Sequence, residues 1–298
     1  MTQSAAEPLF GTVAVAMVTP FSADGSLDVR AGVALAERLV ARGVDGLVLG
    51  GTTGESPTTS PAEKLELLSA VLAAVGDRAK ITQGVGSYDT AKSVQAARDA
   101  QAAGAHGLLV VTPYYSKPSQ AGLAAHCRAV ADAVTTPIML YDVPHRTALA
   151  IEPATLQELA AHPNIAAMKE AKGDFGSGAE LIATTGLQYY SGDDVVYLPW
   201  LAVGAVGVVS VLGHLVPEQL RELHTAFAEG DLARARELQV SILPLVRAQA
   251  RYGGVALAKA GLALLGQPVG EPRLPILGLD GEETAALAQD LELVGARQ

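Results

Sequence analysis

Short apolar runs alternate with amphipathic, alanine-rich stretches along most of this 298-residue chain. The runs in the middle of the chain are nearly continuous in apolar residues, which is typical of parallel strands buried on both faces. Successive runs begin roughly 20 to 35 residues apart, the repeat expected of strand–helix units. Eight such runs can be read: TVAVAMVTPF at 12–21, DGLVLGG at 45–51, AKITQGVG at 79–86, GLLVVTPYY at 107–115, PIMLYDVP at 137–144, IAAMKEAKGD at 165–174, LQYYSGDD at 187–194 and AVGVVSVLG at 205–213.

The stretches between the runs carry helix signals, and these decide the fold class. In SPAEKLELLSAVLAAVG, Ser60 can cap a helix and Glu63 can complete a capping box. Eight strands joined by such helices predict an α/β fold, a (β/α)8 TIM barrel that occupies residues 1–215 and carries the active site. From about Val216 onward the pattern is helical, so residues 216–298 are predicted to form a C-terminal helical extension packed on the barrel.

Composition narrows the class of protein. The chain is 49% hydrophobic, and 21 basic against 31 acidic residues give a net charge of -10. Because the basic residues form no stripe, the charge argues against a nucleic-acid partner. A single cysteine excludes an internal disulfide and fits a reducing compartment. The start MTQSAAEPLF has neither the basic nor the apolar region of a secretion signal, and no apolar run reaches the ~18 residues of a membrane span. The sequence therefore predicts a cytoplasmic protein with no membrane partner.

Polar motifs follow most of the apolar runs. In barrel enzymes the chemistry takes place at the carboxyl ends of the strands. We therefore expect the side chains of these motifs to converge on one pocket. They are GGTTGES in the second run, TPYY in the fourth, YDVPHR in the fifth, Lys169 in the sixth, SGDD in the seventh and VVSVLGH in the eighth.

Lys169 is the most informative of these residues, because it ends an apolar run of strand type, Ile165 to Met168. Lysine is seldom buried. Partial desolvation lowers the pKa of its ammonium group, so that the neutral amine can attack a ketone or aldehyde and form a Schiff base. The protonated imine then acts as an electron sink. The alternative is a lysine that snorkels past the strand end or pairs with Glu170.

Other motifs offer groups that can bind a carboxylate or move a proton. The glycines of GGTTGES permit close backbone approach, and the hydroxyls of Thr52 and Thr53 suit a small carboxylate. Arg146 can recognise a carboxylate with two hydrogen bonds, and Tyr141 can shuttle protons. Taken singly, each has an ordinary structural interpretation: a glycine-rich turn, a surface arginine, and, for aromatics such as Tyr115, a core or interface residue.

Together these motifs resemble the pyruvate-dependent lyase family that contains dihydrodipicolinate synthase and N-acetylneuraminate lyase. The resemblance runs from GTVAVAMVTPF at 11–21 to GEPRLPILGL at 270–279. It rests on GTTGES, VTPYY, YDVPHRT, KEAKGD and SGDD, in this order and spacing. The double threonine and the arginine that follows YDVPH favour the synthase branch over the sialic acid branch.

The resemblance implies a reaction and a set of pyruvate contacts. Pyruvate is expected to condense with L-aspartate 4-semialdehyde to give 4-hydroxy-tetrahydrodipicolinate, in the diaminopimelate pathway to lysine. Lys169 would form the Schiff base with pyruvate. Thr53 and neighbouring backbone amides, including that of Gly51, would hold the pyruvate carboxylate. Gly192 and Val209 would supply backbone and wall contacts near the imine.

The resemblance also implies a proton relay and an assembly. Tyr141, Thr52 and Tyr115 would form the relay, with Tyr115 donated across a tight dimer interface. Arg146 would orient the relay and receive the carboxylate of the semialdehyde. The family habit predicts a homotetramer built from two dimers. Neither a metal nor an organic cofactor is expected, because the lysine itself is the electron sink.

Three residues depart from the common family pattern: Asp142, His145 and Ala148. We interpret His145 as a packed or solvated loop residue. The departures nevertheless leave room for another class I aldolase, which would join pyruvate to a sugar-derived aldehyde. Two further alternatives are a metal-dependent aldolase that uses His145 and His214, and a non-catalytic barrel that binds a 2-keto acid.

A last departure concerns feedback regulation. Lysine-inhibited members of the family place histidines after GTTGES, where this chain has Pro61 and Lys64. After the third strand they place an amide and a glutamate, where this chain has Tyr88 and Lys92. A cation in place of a carboxylate repels an amino group. We therefore predict weak or absent inhibition by L-lysine.

Overall fold

The computed structural model describes residues 7–296. The inference that the N-terminus carries no secretion signal falls partly on residues 1–6, which lie outside the described residues. Within the described range eight strands form: β1 (Val13–Ala16), β2 (Gly46–Leu49), β3 (Lys80–Gly84), β4 (Gly107–Val111), β5 (Ile138–Asp142), β6 (Ile165–Glu170), β7 (Gln188–Ser191) and β8 (Gly207–Ser210). All neighbouring pairs are parallel, and β8 closes the barrel on β1. The predicted (β/α)8 barrel is confirmed.

Strand alternation divides the residues between two faces of the barrel wall. Leu140 and Met168 point outward, into the large apolar cluster shared with the helices. Tyr141 belongs to the smaller cluster inside the barrel. Lys169 is the register partner of Tyr141 on the neighbouring strand. The barrel therefore directs both side chains to its interior, near its carboxyl end.

Helices surround the barrel, and the start of α2 shows why local sequence predicts them well. The Ser60 hydroxyl accepts a hydrogen bond from the Glu63 N–H at 3.3 Å, and the Glu63 carboxylate accepts one from the Ser60 N–H at 2.8 Å. Nowhere in residues 7–296 is a helix long and apolar enough to cross a membrane. The helices are α1 (Val29–Ala41), α2 (Pro61–Val75), α3 (Thr90–Ala102), α4 (Gln120–Asp132), α5 (Pro144–Thr147), α6 (Pro153–Ala160), α7 (Phe175–Thr185), α8 (Tyr197–Ala202), α9 (Pro217–Ala228), α10 (Leu232–Ser241), α11 (Leu243–Tyr252), α12 (Gly254–Leu264) and α13 (Gly281–Leu293).

The C-terminal helices pack on the barrel in two groups. Helix α9 contacts β1, and α10 contacts α8 and α9. Helices α11, α12 and α13 contact one another, and α12 also contacts the short 3-10 turn Leu212–His214 that follows β8. The C-terminal segment thereby reaches the end of the barrel at which the strands finish. The division of the chain between residues 215 and 216 stays a prediction.

Candidate active site

A cleft of about 330 Å³ lies at the carboxyl ends of the strands. It brings together most of the residues singled out in the sequence. A second cavity of about 350 Å³ adjoins it and shares Thr52, Tyr141 and Arg146. The wall of the first cleft that comes from the barrel is formed by Thr52, Thr53, Tyr141, His145, Arg146, Lys169, Ala171, Gly192, Asp193 and Val211.

Lys169 sits at the bottom of this cleft with 5% of its surface exposed. Its Nζ lies 4.2 Å from the centroid of the Tyr141 ring. Burial lowers the pKa of Lys169 to about 8, although the charge of Asp194 opposes the shift and that of Arg146 reinforces it. A pKa of this size makes the neutral amine roughly 300 times more abundant at pH 7 than it is for an ordinary lysine. The geometry therefore provides a nucleophilic amine near neutral pH.

Tyr141 and Thr52 form a hydroxyl pair beside that amine. Tyr141 is buried, and burial raises the pKa of its phenol, while the charge of Arg146 and the neighbouring Thr52 hydroxyl pull the pKa down. The phenol therefore keeps its proton at neutral pH and can exchange it with a neighbouring group. Thr52 is exposed in the cleft, so Tyr141 and Thr52 together connect the Lys169 amine to the mouth of the cleft.

The turn after β2 is tight, and its glycines explain how it forms. Gly50 has a φ of +60°, and a Cβ on Gly54 would meet the Gly50 nitrogen and the Met17 carbonyl oxygen at 3.0 Å. Backbone hydrogen bonds from Glu55 to Thr52 and from Ser56 to Gly51 close the turn. The result is a compact loop that places the two threonines at the cleft, with Thr53 buried.

Arg146 and His145 stand at the rim on the short helix α5, and both are exposed. The charge of Arg146 reaches inward, since it lowers the pKa of both Tyr141 and Lys169. An exposed guanidinium at the mouth of the cleft is suited to receive a substrate carboxylate. His145 is solvated, as expected, but it lies on this helix instead of a loop and it lines the cleft.

Three of the predicted site residues do not line the cleft. Gly51 lines the adjoining cavity instead. Val209 is fully buried in the apolar cluster inside the barrel and does not line the cleft. Tyr115 is 92% exposed and has a φ of +70°. Its neighbour Tyr114 instead lines the adjoining cavity and packs edge-on against Tyr88, with ring centroids 5.2 Å apart. One copy of the chain therefore does not bring Tyr115 to Lys169.

Asp142, one of the departures from the family pattern, faces away from the cleft. Its side chain belongs to the outward face of β5, opposite to Tyr141. It is completely buried, lies 3.3 Å from the Lys172 ammonium, and accepts a hydrogen bond from the Ile151 N–H at 3.2 Å. Asp142 thus joins the loop after β6 to the segment after α5, and it does not line the cleft.

His214 and the other metal-binding candidates have no arrangement that suits an ion. One ring nitrogen of His214 accepts the Val18 N–H at 3.1 Å, and the other contacts the Val211 carbonyl at 2.7 Å. Both nitrogens are therefore occupied by the backbone. In the part of the chain from 7 to 296, no three histidine, cysteine or carboxylate side chains are grouped closely enough to hold a metal.

Sequence reasoning missed several residues of the cleft. The SGDD motif was recognised, but its carboxylates received no role. Asp193 lines the cleft, and Asp194 is buried beneath it, where it accepts hydrogen bonds from the Val211 and Leu212 N–H groups at 2.9 and 3.1 Å. Both carboxylates act on the Lys169 pKa. The remaining wall comes from the C-terminal segment and had no recognisable signal: Gln249, Tyr252, Gly253, Gly254, Val255, Ala256 and Ile276.

The closed parallel barrel, with an amine buried at the end of one strand, defines a (β/α)8-barrel protein with an enzyme-type site. The chain belongs to the dihydrodipicolinate synthetase family, whose model matches residues 9–294.

Similar proteins cover nearly the whole chain. The 4-hydroxy-tetrahydrodipicolinate synthase of Corynebacterium aurimucosum is 59% identical over 296 residues, which are 99% of this chain and 98% of the relative. That of Mycobacterium leprae is 58% identical over 281 residues, 94% of each chain. Among solved structures, the dihydrodipicolinate synthase of Cyanidioschyzon merolae, crystallised with lysine bound, has a TM-score of 0.94 at 36% identity and covers 97% of this chain and 99% of that one.

Proposed function

We propose that the chain condenses pyruvate with L-aspartate 4-semialdehyde to give 4-hydroxy-tetrahydrodipicolinate, in the diaminopimelate route to lysine. The names of the relatives at 58 and 59% identity support the reaction. The observation that carries the chemistry is a buried lysine with a pKa of about 8 at the bottom of the cleft.

In this mechanism the neutral Lys169 amine attacks the keto carbon of pyruvate, and uptake of one proton with loss of water leaves a protonated imine. The imine draws electrons from the methyl carbon, which loses a proton and becomes an enamine. The enamine carbon then forms a bond to the aldehyde carbon of the semialdehyde. The amino group of the adduct attacks the imine carbon, which closes the ring and releases Lys169.

The neighbouring groups of the cleft fit the remaining roles. Thr53 and the backbone of the turn at Gly51 would hold the pyruvate carboxylate. Tyr141 and Thr52, which both line the cleft, would carry protons to and from the imine and the aldehyde oxygen. Arg146, at the rim, would bind the semialdehyde carboxylate.

Two wall contacts and the assembly complete the proposal. Gly192 lines the cleft, where its N–H is bonded to the Glu170 carbonyl at 2.6 Å, and Val209 would close the barrel interior beneath the imine. We place Tyr115 in the site of a second copy, in a homotetramer made of two dimers, because its exposed ring and left-handed backbone have no explanation within one chain. Light scattering of the purified protein measures the assembly. A cytoplasmic location stays a prediction.

A coupled assay with pyruvate and aspartate semialdehyde tests the reaction, with Lys169→Ala as the variant. The matched control is Lys80→Ala, since Lys80 is exposed at the opposite end of a strand. We expect the wild type and the control to turn over, and Lys169→Ala to be inactive. Reduction with borohydride in the presence of pyruvate should label Lys169 alone. Turnover of 2-keto-3-deoxy sugar acids without turnover of aspartate semialdehyde would instead favour the sugar-aldehyde aldolase.

We also propose that L-lysine inhibits weakly or not at all. A cavity of about 310 Å³ next to the site is lined by Lys64, Lys92, Tyr88 and Pro61. The two ammonium groups repel the ammonium groups of a bound lysine. Lys92→Glu should therefore increase sensitivity. Half-maximal inhibition of the wild type at sub-millimolar lysine would contradict this.

A further inference from the structure

Glu55, in the GTTGES turn, has no role in the chemistry above, yet its buried carboxylate contacts two residues that are distant in sequence, Lys259 and Arg273. It has a left-handed backbone with a φ of +55°, a conformation that favours glycine. Its carboxylate is buried, with the Oε1 oxygen 2.7 Å from the Lys259 ammonium. The Oε2 oxygen accepts a hydrogen bond from the backbone N–H of Arg273 at 2.8 Å.

Both partners of Glu55 come from the C-terminal segment. Lys259 lies on α12, and its side chain is 3% exposed, against 1% for that of Glu55. The Lys259 ammonium also donates to the Glu271 carbonyl at 3.1 Å and lies 4.3 Å from the centroid of the Phe21 ring. Since Phe21 follows β1, the pair joins α12 to the loops after the first two strands.

The Arg273 side chain holds the same turn from its far side. Its guanidinium lies 4.0 Å from the Phe21 ring centroid and donates to the carbonyls of Thr58 at 2.6 Å and Gly25 at 2.7 Å. It also pairs with Glu63, the residue that completes the capping box of α2. The turn that carries the two threonines is thus tied to the C-terminal segment at Glu55 and at Thr58.

We propose that Glu55 is a positioning residue, which Lys259 and Arg273 fix so that Thr52 and Thr53 face the Lys169 amine. This rests on the proposed function. A buried ion pair is a weak source of stability, because desolvation offsets the attraction. In some proteins, however, such a pair is retained for the geometry that it specifies. Only one residue separates Glu55 from Thr53, so a turn released from α12 moves both hydroxyls away from the pyruvate carboxylate and from Tyr141.

The test compares Glu55→Gln and Lys259→Met with Asp45→Asn. Asp45 is a matched control at the other end of the barrel, where it accepts hydrogen bonds from Thr12 and Val13 at 2.8 Å and pairs with Arg221. Each variant is assayed well below its melting temperature. We expect Glu55→Gln and Lys259→Met each to raise the KM for pyruvate and to lower kcat, by about tenfold or more. Asp45→Asn should lower the melting temperature and leave KM within about twofold.

The double variant Glu55→Gln with Lys259→Met supplies the coupling. Because the two residues act as one unit, its kinetic defect should match that of the worse single variant instead of being the product of both. Lys259→Met gives the reading on its own if Glu55→Gln does not fold. The positioning role would be overturned by a normal KM and kcat in folded Glu55→Gln or Lys259→Met, or by a double variant whose kinetic defect is the product of the two single defects.

The outcomes also separate this inference from the proposed function. A wild type that traps pyruvate on Lys169 but does not use aspartate semialdehyde would remove the proposed reaction. The positioning role would then be measured by the pyruvate concentration at which borohydride labels half of each variant, and Glu55→Gln should require about tenfold more. A wild type that traps no pyruvate would overturn both.

Discussion

Replacing Lys169 by methionine should stabilise the protein at neutral pH. A buried lysine destabilises a fold while it carries its charge, because the ammonium is desolvated. Methionine has similar length, no charge, and a side chain that fills irregular apolar space. The variant keeps the contact with the Tyr141 ring and removes the charge.

The size of the effect follows from the Lys169 pKa. The pKa falls from 10.5 to about 8 on folding, and each pH unit of difference corresponds to about 1.4 kcal/mol. Below pH 8 both the folded and the unfolded chain bind the proton, so the full cost of about 3 kcal/mol applies. Between pH 8 and pH 10.5 the unfolded chain binds more protons than the folded chain, and the stability of the wild type rises with pH. At pH 10 the cost falls to about 1 kcal/mol.

Urea denaturation at pH 7 and at pH 10 measures this difference, at one protein concentration for all variants. We expect Lys169→Met to be more stable than the wild type by about 3 kcal/mol at pH 7 and by about 1 kcal/mol at pH 10. Lys80→Met, at an exposed position, should change stability by less than about 0.5 kcal/mol at either pH. A variant less stable than the wild type at pH 7, or an advantage that does not shrink with pH, would refute the account of the buried amine.

Three further predictions concern other parts of the molecule. The pH dependence of Lys169 labelling by pyruvate and cyanoborohydride should have its midpoint near the Lys169 pKa of about 8. Because the Asp193 charge raises that pKa, Asp193→Asn should move the midpoint to lower pH, and a move to higher pH would contradict this account. Asp142→Asn should reduce stability by about 1–3 kcal/mol, since it leaves the Lys172 ammonium without its carboxylate, and it should not alter the preference for aldehydes. A changed preference at constant stability would show that Asp142 acts on the substrate. Ser60→Ala should lower the free energy of unfolding, measured by urea denaturation, by about 1 kcal/mol, and Ser60→Thr should lower it much less. Equal stability of Ser60→Ala and the wild type would show that the capping box does not stabilise α2.

Local sequence predicted the elements whose cause is local. The helix start at Ser60 depends on residues within one turn, and the structure contains the complete capping box. The strands depend on short apolar runs, and all eight runs contain a strand. Lys169 was found for the same reason, because a lysine at the end of such a run has to face either the barrel interior or the helices.

The position of Asp142 relative to the cleft can be predicted from the sequence by the alternation of side chains along β5. Adjacent residues of a strand point to opposite sides. If Tyr141 enters the barrel, Asp142 cannot, and its partner has to come from the outer layer. The structure shows that partner to be Lys172, which lies in the loop that follows β6. Alternation alone was sufficient to separate this carboxylate from the substrate.

The contribution of the C-terminal segment could not be predicted in this way. Glu55 and Lys259 are 204 residues apart, and neither has a local pattern that names the other. The cleft extends across the predicted boundary near Val216: Lys169 comes from one side, and Tyr252 and Ile276 come from the other. A chain cut at that boundary would keep the amine and lose both one wall of the cleft and the cation that holds Glu55. The barrel carries the buried amine, and the segment that follows it supplies one wall of the cleft and both partners of the Glu55 carboxylate.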